Sequence, residues 1–248
     1  MLVISHDTSG SGSVVLLIHA GVADRRMWDP QLPELSQRHR VVRVDLRGFG
    51  DSPLPPHPYD HVTDVVAVLD EVGVDRAAVV GASFGGLVAQ ELARRFPDRV
   101  DRLLLVCPAS ALLQPDDELE ALWAREEELL ERGDLAAAAA LNVDTWCGPE
   151  ASPAVRELVS AMQRRAFELQ TDREDLAVED EPGDPSMIQA PVLVVSGDHD
   201  LAAFRRSADA LARTLPHGQL RTLPWAGHLP TLERPEEAAQ LMDDFLDG

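Results

Sequence analysis

The sequence predicts an α/β protein: a mostly parallel central sheet with flanking helices and an inserted helical segment. Three observations carry this. Short runs rich in Val, Leu and Ile recur along the chain, apolar at every position as buried parallel strands are. Stretches long enough for a crossover helix separate them. The alternation then breaks between about Ala109 and Gln189, where no convincing strand appears, and afterwards resumes.

In order, Leu2–His6 reads as one leading strand and the Gly/Ser stretch Ser9–Ser13 as a turn. The apolar runs are Val14–Ile18, Val41–Val44, Ala77–Val80, Leu103–Val106 and Val192–Val195, and Leu220–Leu223 is the last strand. Crossover helices fit Tyr59–Val72 and Phe84–Phe96, and a terminal helix fits Pro235–Phe245. Within the break, Pro115–Arg132 carries apolar residues near helical spacing and stops at Gly133. Leu135–Trp146 and Pro153–Gln170 follow as helices, the second with Pro153 at a favourable first position after Ser152. The acidic stretch Thr171–Asp184 reads as a linker or surface loop. The chain therefore divides into a body, residues 1–108 and 190–248, and a helical insertion, 109–189. Ligands of such a fold are expected at the carboxyl ends of its strands.

Composition narrows the function. The 248 residues include 22 basic and 43 acidic side chains, a net charge of −21, and every basic one is arginine. The absence of lysine excludes Schiff-base chemistry, lysine-anchored pyridoxal phosphate and the P-loop lysine. The acidic balance opposes nucleic acid and anionic membranes as partners. Cys107 and Cys147 make neither a disulfide framework nor a zinc site, and they read as reduced thiols. No signal peptide is read at the N-terminus, so a cytoplasmic location is expected. No cofactor and no metal are expected, and a homodimer is left open.

The chemistry centres on Gly81-Ala82-Ser83-Phe84-Gly85, between a strand and a helix. A G-x-S-x-G there presents its serine on a tight, strained turn, and a side chain at 81 or 85 would collide with the neighbouring strand or helix. The helix N-terminus behind Ser83 supplies free N–H groups and a positive dipole end.

With this motif the chain resembles the α/β-hydrolase superfamily along nearly its whole length. Leu17-Ile18-His19-Ala20-Gly21 resembles its oxyanion turn, Asp45-Leu46-Arg47-Gly48-Phe49-Gly50-Asp51-Ser52 its D-x-R-G-x-G-x-S loop, and Gly197–Asp200 with Gly227-His228 its acid and histidine loops. The resemblance implies seven or eight strands and makes the insertion a helical lid. Position 20 is alanine where the family usually has glycine, and the N-terminus has room for one leading strand where many members carry a hairpin.

A serine alcohol needs a base, and the base an orienting acid, in the chain order serine, acid, histidine for this fold. Of the histidines, only His217 and His228 follow both candidate acids, Asp198 and Asp200. His217 precedes the last strand and so sits at the wrong edge, which leaves His228 as the base. The resemblance places the acid at Asp200, with Asp198 shaping the turn through its side chain. The alternative acid position of some members, after the preceding strand, falls in Cys107–Pro115, which holds no carboxylate. The oxyanion hole is expected from the N–H groups of Phe84 and Gly21. His19 is read as a brace for the oxyanion turn, Arg47 as a tie between loops, and His6, His39, His57, His61 and His217 as surface residues. Val22, Trp28, Trp123 and Trp146 are candidates for the substrate pocket.

Ser83 excludes the aspartate chemistry of the family's dehalogenases and epoxide hydrolases. A serine triad implies acyl transfer to water from a small to medium ester or lactone. Arg26–Gln31 looks like the stretch after the oxyanion turn in enol-lactone hydrolases, and also in general esterases. That likeness would imply an anionic substrate, which the net charge opposes unless Arg25, Arg26 or Arg47 reverses the sign at the pocket mouth. Carbon–carbon bond hydrolysis, cofactor-free perhydrolysis and a non-catalytic ligand-binding role stay open on the same residues.

Overall fold

A computed structural model describes residues 3–171, 176–177 and 182–247. Its seven strands are β1 (His6–Gly10), β2 (Ser13–Ile18), β3 (His39–Val44), β4 (Ala77–Ala82), β5 (Val100–Val106), β6 (Val192–Gly197) and β7 (Gly218–Leu223). They form one sheet in the order β1-β3-β2-β4-β5-β6-β7, with β1 antiparallel to β3 and the others parallel. The leading strand is displaced from the expected Leu2–His6. It runs through His6–Gly10, and the reversal into β2 is confined to Ser11 and Gly12. As a half-exposed edge strand it needs no apolar run, which is why its polar sequence hid it.

Helices cover both faces. α1 (Leu32–Arg38), α2 (His61–Glu71) and α3 (Phe84–Arg95) belong to the first half of the body. α4 (Asp117–Glu131), α5 (Leu135–Trp146) and α6 (Pro153–Gln170) are the insertion between β5 and β6. α7 (Ala202–Thr214), the short α8 (Pro230–Glu233) and α9 (Pro235–Asp247) complete the chain. Alternate residues of β2 enter two cores: Leu16 and Ile18 pack with Val65 and Leu69 of α2 and Leu92 of α3, Val15 and Leu17 with Leu35 of α1 and Met242 of α9. The inner strands are buried on both faces, whereas Gln219–Thr222 of β7 is exposed at the sheet edge.

The inserted helices begin where their sequence says they should. Asp116, Asp134 and Ser152 each accept a hydrogen bond from the backbone N–H three residues on, a cap worth about 1 kcal/mol apiece. Gly133, at φ +69°, ends α4. Of the acidic linker, residues 172–175 and 178–181 lie outside the described residues. Its Leu176 carbonyl accepts from the Tyr59 N–H at 3.2 Å.

The chain order reverses across β2: β3 lies on one side of it and β4 on the other. At such a switch point the loops leaving the two strands diverge and open a crevice. Ser83 follows β4, and the His19–Gly21 turn follows β2.

Candidate active site

Ser83 occupies the capping position of α3 without capping it. Its backbone sits at φ +49°, ψ −116°, away from the extended geometry in which a serine hydroxyl reaches the first helical N–H groups. Four bonds hold the turn: Ser83 N–H donates to Val106 O at 2.9 Å, and Ser83 O accepts from Gly86, Leu87 and Ala109 at 2.9, 3.2 and 3.0 Å. Glycine is required on either side. A Cβ at Gly81 would stand 2.4 Å from Gly85 O, and one at Gly85 2.3 Å from His19 O. Helix and strand thus close around a left-handed residue, which is the strain the motif predicts. The N–H of Phe84 has no acceptor among the described residues, and neither does that of Gly21.

His228 and Asp200 meet across the ends of β7 and β6. Nδ1 of His228 lies 2.8 Å from Oδ2 of Asp200, and both side chains are 2% exposed. The carboxylate can only accept here, so Nδ1 carries the proton and Nε2 is left as the basic nitrogen. The second oxygen, Oδ1, accepts from Leu201 N–H at 2.7 Å. Trp146 and Phe204 clasp the imidazole, with ring centroids 4.5 and 4.6 Å away. Asp198, two residues earlier, is exposed. It joins the turn through its backbone N–H, 3.0 Å from Leu223 O, and not through its side chain.

Ser83, His228, Gly21 and Phe84 line one cavity of about 350 Å³, roofed by residues of α4, α5 and α6. Among the described residues the Ser83 hydroxyl makes no hydrogen bond. Of the four pocket candidates, Val22, Trp123 and Trp146 border this space. Trp28 does not. It is fully buried, because the turn of 3-10 helix at Arg25–Trp28 rolls Met27 and Trp28 inward against the sheet.

The surrounding loops are tied down by buried polar pairs. His19 is fully buried and neutral: Nδ1–H donates to Ala20 O at 2.8 Å and Nε2 accepts from Leu46 N–H at 3.0 Å. Burial holds its pKa below the usual histidine range. Arg47 grips Asp64 of α2 through two bonds of 3.0 Å. Two of the expected surface histidines are not at the surface. His39 is 4% exposed and bonds Ser13 Oγ at 2.8 Å, and the half-buried ring of His61 packs on Phe84 at 5.2 Å.

Two acids at the site have no motif to announce them. Glu233 of α8 is buried, and its carboxylate accepts from the N–H groups of Gly227, at 2.9 Å, and Leu229, at 3.2 Å, which bracket His228. Pro230 and Pro235 mark its short helix in the sequence, but only the fold turns Glu233 back onto the loop. Glu126 of α4 lines the cavity, where it takes a hydrogen bond from Asn142 Nδ2. Burial raises the pKa of both carboxyls. Cys107 lies behind Asp200, 1% exposed, and burial pushes its thiol well above the usual range. One sulfur, one carboxylate oxygen and one ring nitrogen of Cys107, Asp200 and His228 come within 4.8 Å of one another. With Nδ1 of His228 protonated toward Asp200, that nitrogen is not a ligand.

A family model described as the alpha/beta hydrolase fold matches residues 13–235. The chain belongs to the α/β hydrolase family. It is 31% identical over 218 residues to 3-oxoadipate enol-lactonase 2 of Acinetobacter baylyi, covering 85% of this chain and 79% of that one. A pimeloyl-[acyl-carrier protein] methyl ester esterase of Nitrosomonas europaea is 28% identical over 259 residues, 98% of this chain and 99% of its own. Among solved structures, the enol-lactonase from Burkholderia xenovorans superposes with a TM-score of 0.82 at 26% identity, over 99% of this α/β hydrolase and 96% of that chain. No helix among the described residues is long and apolar enough to cross a membrane.

Proposed function

We propose that this α/β hydrolase cleaves a small to medium carboxylic ester or lactone through an acyl-enzyme on Ser83. The observation that carries the reading is the buried Asp200–His228 pair bordering the same cavity as a serine held in left-handed backbone. The names of its relatives, a lactonase and a methyl ester esterase among them, support the bond type.

His228 Nε2 takes the Ser83 proton as Oγ attacks the carbonyl carbon. The developing oxyanion is met by the N–H groups of Phe84 and Gly21, donors typically worth about 3–4 kcal/mol each in the transition state. Collapse releases the alcohol, which takes its proton from the imidazolium, and water repeats the cycle on the acyl-enzyme. In a lactone the alcohol stays attached to the acyl group, so a single ring-opened hydroxy acid leaves. The insertion, 109–189, is the lid over this space.

The substrate carries no acid group. Arg25 is neutralised by Asp7, Asp45 and Asp51, Arg26 by Asp24 and Arg47 by Asp64, and none of the three borders the cavity. The test is turnover of a panel of esters and lactones by the wild type and Ser83→Ala. Hydrolysis by the wild type alone supports the reading, and equal hydrolysis by both overturns it.

A further inference from the structure

The wall of the cavity is not simply greasy. Glu126 of α4, Asn142 of α5 and Gln163 of α6 bring polar side chains into it among Leu122, Trp123 and Phe167. The orientation of Asn142 is decided by Trp146, whose indole N–H can only donate and lies 2.8 Å from Asn142 Oδ1. Asn142 Nδ2 must therefore be the donor to Glu126, with Ala138 O as its other acceptor at 3.0 Å. Every hydrogen-bonding group of Asn142 is then used within the wall. Glu126 is not so served: it receives this one bond, and no arginine forms a salt bridge with it among the described residues. Gln163 is 4% exposed, and its Oε1 has no hydrogen-bond partner.

A half-buried carboxylate with lone pairs to spare lies beside the buried Gln163 amide, whose Oε1 has no partner and whose Nε2 makes no hydrogen bond among the described residues, so the one carboxylate of this lining is an acceptor short of donors. Leaving such groups unmade is costly, so the space they face is suited to a ligand that brings N–H or O–H. We infer that Glu126 and Gln163 form a specificity site for a hydrogen-bond-donating group on the substrate: a hydroxyl, an amide N–H or an ammonium, and not a carboxylate. The inference rests on the acyl-transfer reading of Ser83 and names what the other end of that substrate carries. Each donor matched to a charged acceptor is worth about a tenfold gain in affinity or more. An ammonium gains twice, because Glu126 has no other counter-ion. A substrate carboxylate facing Glu126 loses by like-charge repulsion.

The test uses methyl esters of graded acyl length ending in methyl, hydroxyl, acetamido, ammonium or carboxylate, followed by acid release at constant pH. At the length that reaches the wall, kcat/KM should exceed that of the methyl-ended ester by about tenfold or more for the donor-bearing members, and the carboxylate should be poorest. The arms separate a cationic from a neutral donor. In Glu126→Gln the ammonium-to-methyl ratio should fall by about tenfold, whereas Glu127→Gln, exposed on the same helix, removes an equal charge and should leave the ratio where it was. A flat series overturns the specificity site while ester turnover preserves the hydrolase reading. Binding needs no turnover: the fluorescence of Trp123 and Trp146, titrated with hexylammonium and with hexanol, should report the amine as the tighter ligand, with the difference lost in Glu126→Gln. Hexylammonium binding that Glu126→Gln leaves unchanged would overturn the inference even in a protein that hydrolyses nothing.

Discussion

His228 donates from Nδ1 to Asp200 across 2.8 Å, in a place where neither side chain is more than 2% exposed. A carboxylate so placed fixes the tautomer of the ring, and an amide there can instead donate and favour the wrong one. Asp200→Asn should lower kcat by about 10⁴-fold without loss of folded protein. Asp198→Asn should stay within about twofold, because an exposed side chain outside the bond makes no comparable contribution. Steady-state kinetics of the two variants check this, and the reverse order would move the acid to Asp198.

Arg47 and Asp64 form a buried pair, with side chains each 8% exposed. Removing one partner strands the other, at a cost of about 3–5 kcal/mol in unfolding free energy for Arg47→Met. The double variant with Asp64→Leu should recover much of that, since the Asp64 carboxylate is no longer stranded. Urea unfolding midpoints read both. A single variant as stable as the wild type would mean that the pair does not hold the Asp45–Ser52 loop to α2.

Burial raises the folded pKa of Glu126 above its unfolded value. The folded state therefore binds the proton more tightly, and the protein loses stability as pH rises from the ordinary carboxyl range through the raised value. Glu126→Gln lacks this group. Its thermal midpoint should match the wild type in the acid range, where Glu126 is neutral in both states, and exceed it at neutral pH. A gap that shrinks with rising pH would contradict the sign.

The thiols of Cys107 and Cys147 are 1% and 5% exposed, and burial pushes the Cys147 thiol up to about 11. Both should react slowly with a disulfide reagent in the native protein and rapidly once unfolded, because only the thiolate attacks. Fast native reaction of either would show that its surroundings open.

The fold, and the meeting of Ser83 and His228 on one cavity, were legible in the sequence because their signals are local. Gly81–Gly85 combines a strand end, a steric requirement and a helix start within five residues, and Gly227-His228 follows a strand that could be read on its own. Trp28 was not legible, because an aromatic after the oxyanion turn looks the same in sequence whether its helix rolls it toward the cavity or the core. β1 escaped because a polar edge strand lacks the apolar signature that marked the inner ones. Glu233 and Glu126 lie in acidic helical stretches, and their burial exists only once α8 folds back on the histidine loop and α4 packs on α5.

The central claim is that Ser83, activated by His228, is the nucleophile. A serine-directed fluorophosphonate followed by peptide mass mapping tests it most directly. A single adduct on Ser83, with loss of ester hydrolysis in step with labelling and no adduct in His228→Ala over the same time, is the predicted result. An adduct on another residue, or full activity in a protein fully labelled at Ser83, would contradict it.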